Sequence, residues 1–107
     1  MFILILSRQK REGRQVTADR LRQLRREIDT IDRELIGLLN QRARVVREVG
    51  KEKKAAGTAY TDSLREKEIL NRIAVENRGP FPTASLQKLF GEIFEISKHL
   101  EKKSDSD

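Results

Sequence analysis

The chain has 107 residues, 37% of them charged, with 23 Lys and Arg against 17 Asp and Glu and a net charge of +6. That length allows one domain, and the absence of Cys excludes a disulfide scaffold or a thiol-ligated metal and makes a reducing cytoplasm the default compartment. The positive balance suits nucleic acid, an anionic membrane surface or a small anionic ligand; with only four Phe and one Tyr, and none among the basic residues of the longest predicted helix, a base-stacking platform is disfavoured.

Residues 1–16 read as an N-terminal extension, disordered or weakly packed. Met1 to Leu6 is apolar and is followed by Ser7-Arg8-Gln9-Lys10-Arg11, which reverses the order of a signal peptide and is too short to span a membrane. Translation starting at Val16 is one expectation, because Arg11-Glu12-Gly13-Arg14 can be encoded by purine-rich codons resembling a ribosome-binding site. A native N-terminus at Met1, read by mass spectrometry, would exclude it.

From about Ala18 to about Ala55 the pattern predicts one long helix. Leu21, Leu24, Ile28, Ile31, Leu35, Leu38, Val45 and Val49 follow three-four spacing, and no Gly or Pro interrupts it before Gly37, which is tolerated. Such a helix would be roughly 55 Å long, whereas a compact monomer of this size has a radius of gyration of about 13 Å. The remaining residues cannot wrap it, so a homodimer is expected.

Gly57 to Thr61 predicts a turn. A second helix starts at Asp62 or Ser63, where Ser63 and Glu66 have capping-box spacing, carries Leu64, Ile69, Leu70 and Ile73, and stops at Asn77-Arg78-Gly79-Pro80. A third follows Pro82 with Thr83 as N-cap and buries Leu86, Leu89, Phe90, Ile93, Phe94 and Leu100. The expected fold is all-α: a three-helix protomer with one long N-terminal helix, spanning 17–104, with a polar tail at 105–107. No internal repeat is evident and no strand is needed.

Polar residues on the buried faces carry the functional signal. Arg42 interrupts the apolar stripe, and Arg42, Val46, Val49 and Lys53 share one side of the first helix because eleven residues make almost three turns. The two cations stand about 16 Å apart along the axis, a gap that long side chains can narrow around one small molecule. Glu66 lies inward on helix two, and Ser97 and Glu101 continue the stripe of helix three, Glu101 being the weakest member because it nears a C-terminus. Taken singly, Arg42 reads as a snorkelling or register-setting residue and Lys53 as a solvated one. Together they point to an anionic ligand, since unpaired buried charges cost several kcal/mol each. His99 has no second ligand nearby and reads as a surface residue. Arg25 is about 25 Å and roughly 100° from Arg42 on the same helix, so only a partner's Arg25 in an antiparallel dimer could reach that pocket.

The segments Leu24-Arg25-Arg26-Glu27-Ile28-Asp29, Ile31-Asp32-Arg33-Glu34-Leu35, Leu38-Leu39-Asn40-Gln41-Arg42, Val49-Gly50-Lys51-Glu52-Lys53 and Asp62-Ser63-Leu64-Arg65-Glu66 closely resemble the all-helical (AroQ-class) chorismate mutases over about Asp19 to Glu101. Asn77-Arg78-Gly79-Pro80-Phe81-Pro82 and Leu89-Phe90-Gly91-Glu92-Ile93-Phe94 look most like the version attached to some DAHP synthases, which makes such an enzyme an expected partner; no fused synthase is expected behind Asp107. The resemblance implies an intertwined homodimer that rearranges chorismate to prephenate without cofactor or metal, with no nucleic-acid or membrane partner. It implies that Arg42 and the partner's Arg25 clamp the substrate carboxylates, that Arg65 and Ser97 hold remaining oxygens, and that Glu66 and the backbone at Asp62 receive the ring hydroxyl. Lys53 would stabilise the ether oxygen as its bond breaks, with Glu101 facing it from the other side.

Two positions depart from the family pattern. Many relatives carry Gln where this chain has Glu101, and a Glu donates a hydrogen bond only when protonated. Lys98 stands where relatives often have an apolar wall. Two other functions share these features. One is an isochorismate pyruvate lyase, and the other a non-catalytic regulatory or structural helical dimer that partners a DAHP synthase and senses prephenate. A basic nucleic-acid binder would instead line its cations on an exposed face.

Overall fold

The computed structural model describes the backbone of residues 2–103 and side chains from residue 16 onward. The predicted tail at 105–107 and the side-chain packing of residues 1–15 lie outside the described residues. Three helices are present, α1 (Phe2–Ala56), α2 (Ser63–Glu76) and α3 (Thr83–Lys103), which gives the expected all-α, three-helix protomer with one long N-terminal helix. No strand occurs among the described residues. The start of α1 differs from the expected Ala18. Between Phe2 and Ala18 only Gly13 is a strong helix opponent, at a cost of about 1 kcal/mol, so the helix propagates backward to Phe2.

The chain divides into two compact units, Met1–Leu39 and Asn40–Asp107. The first is a stretch of α1 whose apolar stripe faces solvent in the single chain: Leu24 is 37% exposed, Ile31 60% and Leu38 63%. The three-four spacing therefore forms the helix but finds no cover within the protomer.

The second unit packs the last turns of α1 with α2 and α3. Phe94 is its buried apolar centre, met by the Phe90 ring in a T-shaped contact with centroids 6.3 Å apart. Val46, Ile69, Leu70, Ile73, Leu86, Ile93 and Leu100 are half-buried around them. Two expected core residues are not core. Leu64 is exposed because it lies about 180° around α2 from Ile73, and Leu89 is exposed because it sits at the edge of the α3 stripe, beside exposed Ile96.

Local chemistry sets the connections. Gly57, at φ +69°, ends α1: its N–H donates to the Lys54 carbonyl and the Thr58 N–H donates to the Lys53 carbonyl, the paired bonds of a Schellman motif. At the start of α2 the cap belongs to Asp62, whose carboxylate accepts from the Arg65 N–H at 3.0 Å, so the Ser63–Glu66 capping box does not form. Thr83 is likewise the first residue of α3 rather than its N-cap. Its hydroxyl accepts from the Asn77 amide at 2.9 Å, and that amide also donates to the Phe81 carbonyl at 2.8 Å while its oxygen accepts from the Gly79 N–H. Gln87 donates to the Leu70 carbonyl at 3.1 Å and ties α3 to α2.

Candidate active site

Within the second unit the three helices line a half-open cavity of about 310 Å³, within the 300–1,000 Å³ range of small-molecule sites. Seven of the eight residues read from the sequence line it: Arg42 and Lys53 from α1, Asp62 from the turn, Arg65 and Glu66 from α2, Ser97 and Glu101 from α3. The eighth, Arg25, belongs to the other unit, is exposed, and does not line this cavity. Val45, Val46, Val49, Ile69 and Phe94 supply the apolar wall.

Arg42 is held from α3. Its Nη1 donates to Ser97 Oγ at 2.9 Å, and that hydroxyl donates in turn to the Ile93 carbonyl at 2.7 Å, which leaves an oxygen lone pair aimed at the guanidinium. Burial pulls the Arg42 pKa below its ordinary value, the nearby Arg65 charge pulls it further, and Glu101 offsets part of this. An arginine stays charged at any working pH, so the unfavourable crowding of cations is relieved by an anion instead.

Lys53 is held by three acceptors. Its ammonium donates to the Tyr60 carbonyl at 2.9 Å and to the two Glu101 carboxylate oxygens at 3.1 and 3.2 Å. Both side chains are largely withdrawn from water, 16% and 9% exposed. The Schellman bond to its carbonyl fixes the backbone of the same residue, so Lys53 is positioned from both ends. Glu101, expected to be marginal so close to a helix end, is the buried charged residue of the described chain, because α3 continues to Lys103 and the Lys53 ammonium compensates it.

The other groups form the rim. Arg65 reaches the cavity but its Nη1 also donates to Glu68 at 3.0 Å on an exposed face. Lys98, read from the sequence as a doubtful wall residue, is a charged one: its ammonium lies 3.0 Å from Glu95 and 3.4 Å from Glu66. The hydrogen bond to Glu95 raises its pKa, burial opposes this, and the Glu66 charge adds to the rise. The Tyr60 carbonyl was not foreseeable, since a backbone acceptor leaves no trace in residue type. His99 is exposed, as expected. Among the described residues no group of His, Asp and Glu is arranged to hold a metal, and no helix is long and apolar enough to cross a membrane.

A partly apolar cavity lined by Arg42, Lys53 and Arg65, with Asp62, Glu66, Glu101 and the carboxylate-paired Lys98 among them, can fix a small anion and stabilise a charge that develops on it. Comparison with known proteins agrees. The sequence profile of the family described as chorismate mutase type II matches residues 24–102. The bifunctional chorismate mutase/prephenate dehydratase of Aquifex aeolicus (strain VF5) is 37% identical over 89 residues, covering 79% of this chain and 25% of that protein. That of Neisseria gonorrhoeae (strain ATCC 700825 / FA 1090) is 44% identical over 69 residues, covering 64% of this chain and 18% of that protein. This chain thus spans a quarter or less of the length of these relatives, which carry a prephenate dehydratase rather than a DAHP synthase. A solved structure of chorismate mutase from Thermus thermophilus is 42% identical with a TM-score of 0.76, over 78% of this chain and 94% of that one. With a family match that runs from Leu24 to Lys102 and takes in every residue lining the cavity, the chain belongs to the type II chorismate mutase family.

Proposed function

We propose that this chain is a chorismate mutase, an isomerase that carries out the intramolecular [3,3] rearrangement of chorismate to prephenate. The observation that carries the reading is the convergence of Arg42, Lys53 and Arg65 with Glu66 and Ser97 on one cavity. Chorismate has two carboxylates, a ring hydroxyl and the ether bond that breaks. Arg42, aimed by Ser97, takes one carboxylate through charge-assisted bonds, and Arg65 takes remaining oxygens. Glu66 and the backbone at Asp62 receive the hydroxyl.

The rearrangement needs no nucleophile, metal or obligatory proton transfer, so catalysis rests on positioning and electrostatics. Clamped at both ends, the enolpyruvyl arm lies over the ring in a chair-like, near-attack geometry. Negative charge grows on the ether oxygen as its bond breaks. The Lys53 ammonium has three N–H donors, and when the two Glu101 oxygens share one of them it keeps Tyr60 and Glu101 and donates to that oxygen. Glu101 faces the same point and adds a donor when protonated.

The functional unit in this reading is 17–104 in an intertwined homodimer. The exposed stripe of α1 supports it, because Leu24, Ile28, Ile31, Leu35 and Leu38 require cover that a second copy of the same helix supplies. The partner's Arg25 completes the clamp. The Asn77–Pro82 segment carries the further proposal of a DAHP synthase partner, tested by co-purification from the source. Assays with chorismate and isochorismate side by side test the function. Prephenate from chorismate is expected, while pyruvate from isochorismate alone would make the chain a lyase.

A further inference from the structure

The hydroxyl end of the cavity carries a contact that the rearrangement itself does not call for. Lys98 on α3 places its ammonium between two carboxylates, 3.4 Å from Glu66 Oε1 on α2 and 3.0 Å from Glu95 Oε1 on its own helix. Glu95 is 65% exposed, and an i,i+3 pair of that kind contributes little by itself. Glu66 is different. It lies in the first turn of α2, lines the cavity and is 28% exposed, and the contact to Lys98 crosses between two helices.

We infer that Lys98 is a positioning residue for this site: its ammonium holds one oxygen of Glu66, so that the other is presented to the ring hydroxyl of the substrate. The inference rests on the chorismate reading of the cavity. A glutamate with three rotatable bonds loses appreciable rotamer freedom when it accepts from a ligand, and a partner that restricts it beforehand removes part of that cost from binding. Lys98 acts on Glu66 rather than as an independent anion receptor, because its charge already faces two carboxylates. The Arg42 and Lys53 cations have a different task at the carboxylate and ether positions.

Steady-state kinetics with chorismate, on variants checked for native helicity and assembly, test this. Lys98→Met should raise KM about threefold to fivefold, the size of a partly exposed ion pair, with kcat within about twofold of wild type. Lys98→Arg should restore KM. In a Glu66→Gln background, Lys98→Met should change nothing further, which separates action through Glu66 from a general loss of positive charge. Should Lys98→Met fail to fold, Lys98→Gln replaces it in the same comparison. An unchanged KM, a drop confined to kcat, or an equal rise in KM in the Glu66→Gln background would each overturn the inference. Absence of turnover by the wild-type protein would instead overturn the chorismate reading on which it rests.

Discussion

Lys53 is held by the Tyr60 carbonyl and by both oxygens of Glu101, so its ammonium is fixed in place before substrate arrives. Removing one such preorganised donor typically costs about 2.7–4 kcal/mol of barrier, roughly 100- to 1000-fold in rate. Lys53→Ala should lose that much rate or more, measured as kcat in a folded protein; a near-wild-type rate would take Lys53 out of the mechanism. A carboxylate only accepts, whereas the Glu101→Gln amide donates, so if Glu101 faces the ether oxygen Glu101→Gln should change kcat in the folded protein. An unaltered kcat would remove that role. Ser97→Ala deletes the oxygen that aims Arg42 and should raise KM by about tenfold or more, the worth of one hydrogen bond to a charged group.

At the scale of elements, the punctuation residues do most to build the site. Gly57 adopts a φ of +69°, where a Cβ meets no neighbour but the backbone conformation itself disfavours an L side chain. Gly57→Ala should therefore destabilise by about 1–2 kcal/mol, read as a lowered Tm, with the loss coming from backbone strain rather than from a clash. The sequence marked this turn, the breaker at Asn77–Pro80 and three helices, because Gly, Pro and apolar periodicity each act locally. It misassigned the Ser63 capping box and the Thr83 cap for a physical reason. Asp62, Ser63 and Thr83 all carry oxygen acceptors of similar reach, and which of them meets an N–H depends on a register of one residue. Leu64 and Leu89 show the same limit for packing: an apolar residue is readable as such, but whether its face of the helix is covered depends on the neighbouring helices and on what they bring.

Seven of the eight expected residues line one cavity: Arg42 and Lys53 on an apolar face demand an anion, Glu66, Ser97 and Glu101 follow from inward helix faces, and motif resemblance points to Asp62 and Arg65. The pairing of Lys53 with Tyr60 and the bridge from Lys98 to Glu66 were not legible, since each joins residues through geometry that residue type does not encode. The whole molecule, on the chorismate reading, is a dimer with two sites that share arginines. Mixing Arg25→Ala with Arg42→Ala tests this directly. If Arg25 acts across subunits, random exchange gives heterodimers with one intact site, and about a quarter of wild-type activity should return. If both arginines serve a site within one chain, mixing restores nothing.

The measurement that bears most directly on the function is loss of chorismate absorbance with the purified protein at pH 5 and pH 8, with prephenate converted by acid and read as phenylpyruvate. Stoichiometric phenylpyruvate is the predicted result. A folded protein that consumes no chorismate at either pH would contradict the account.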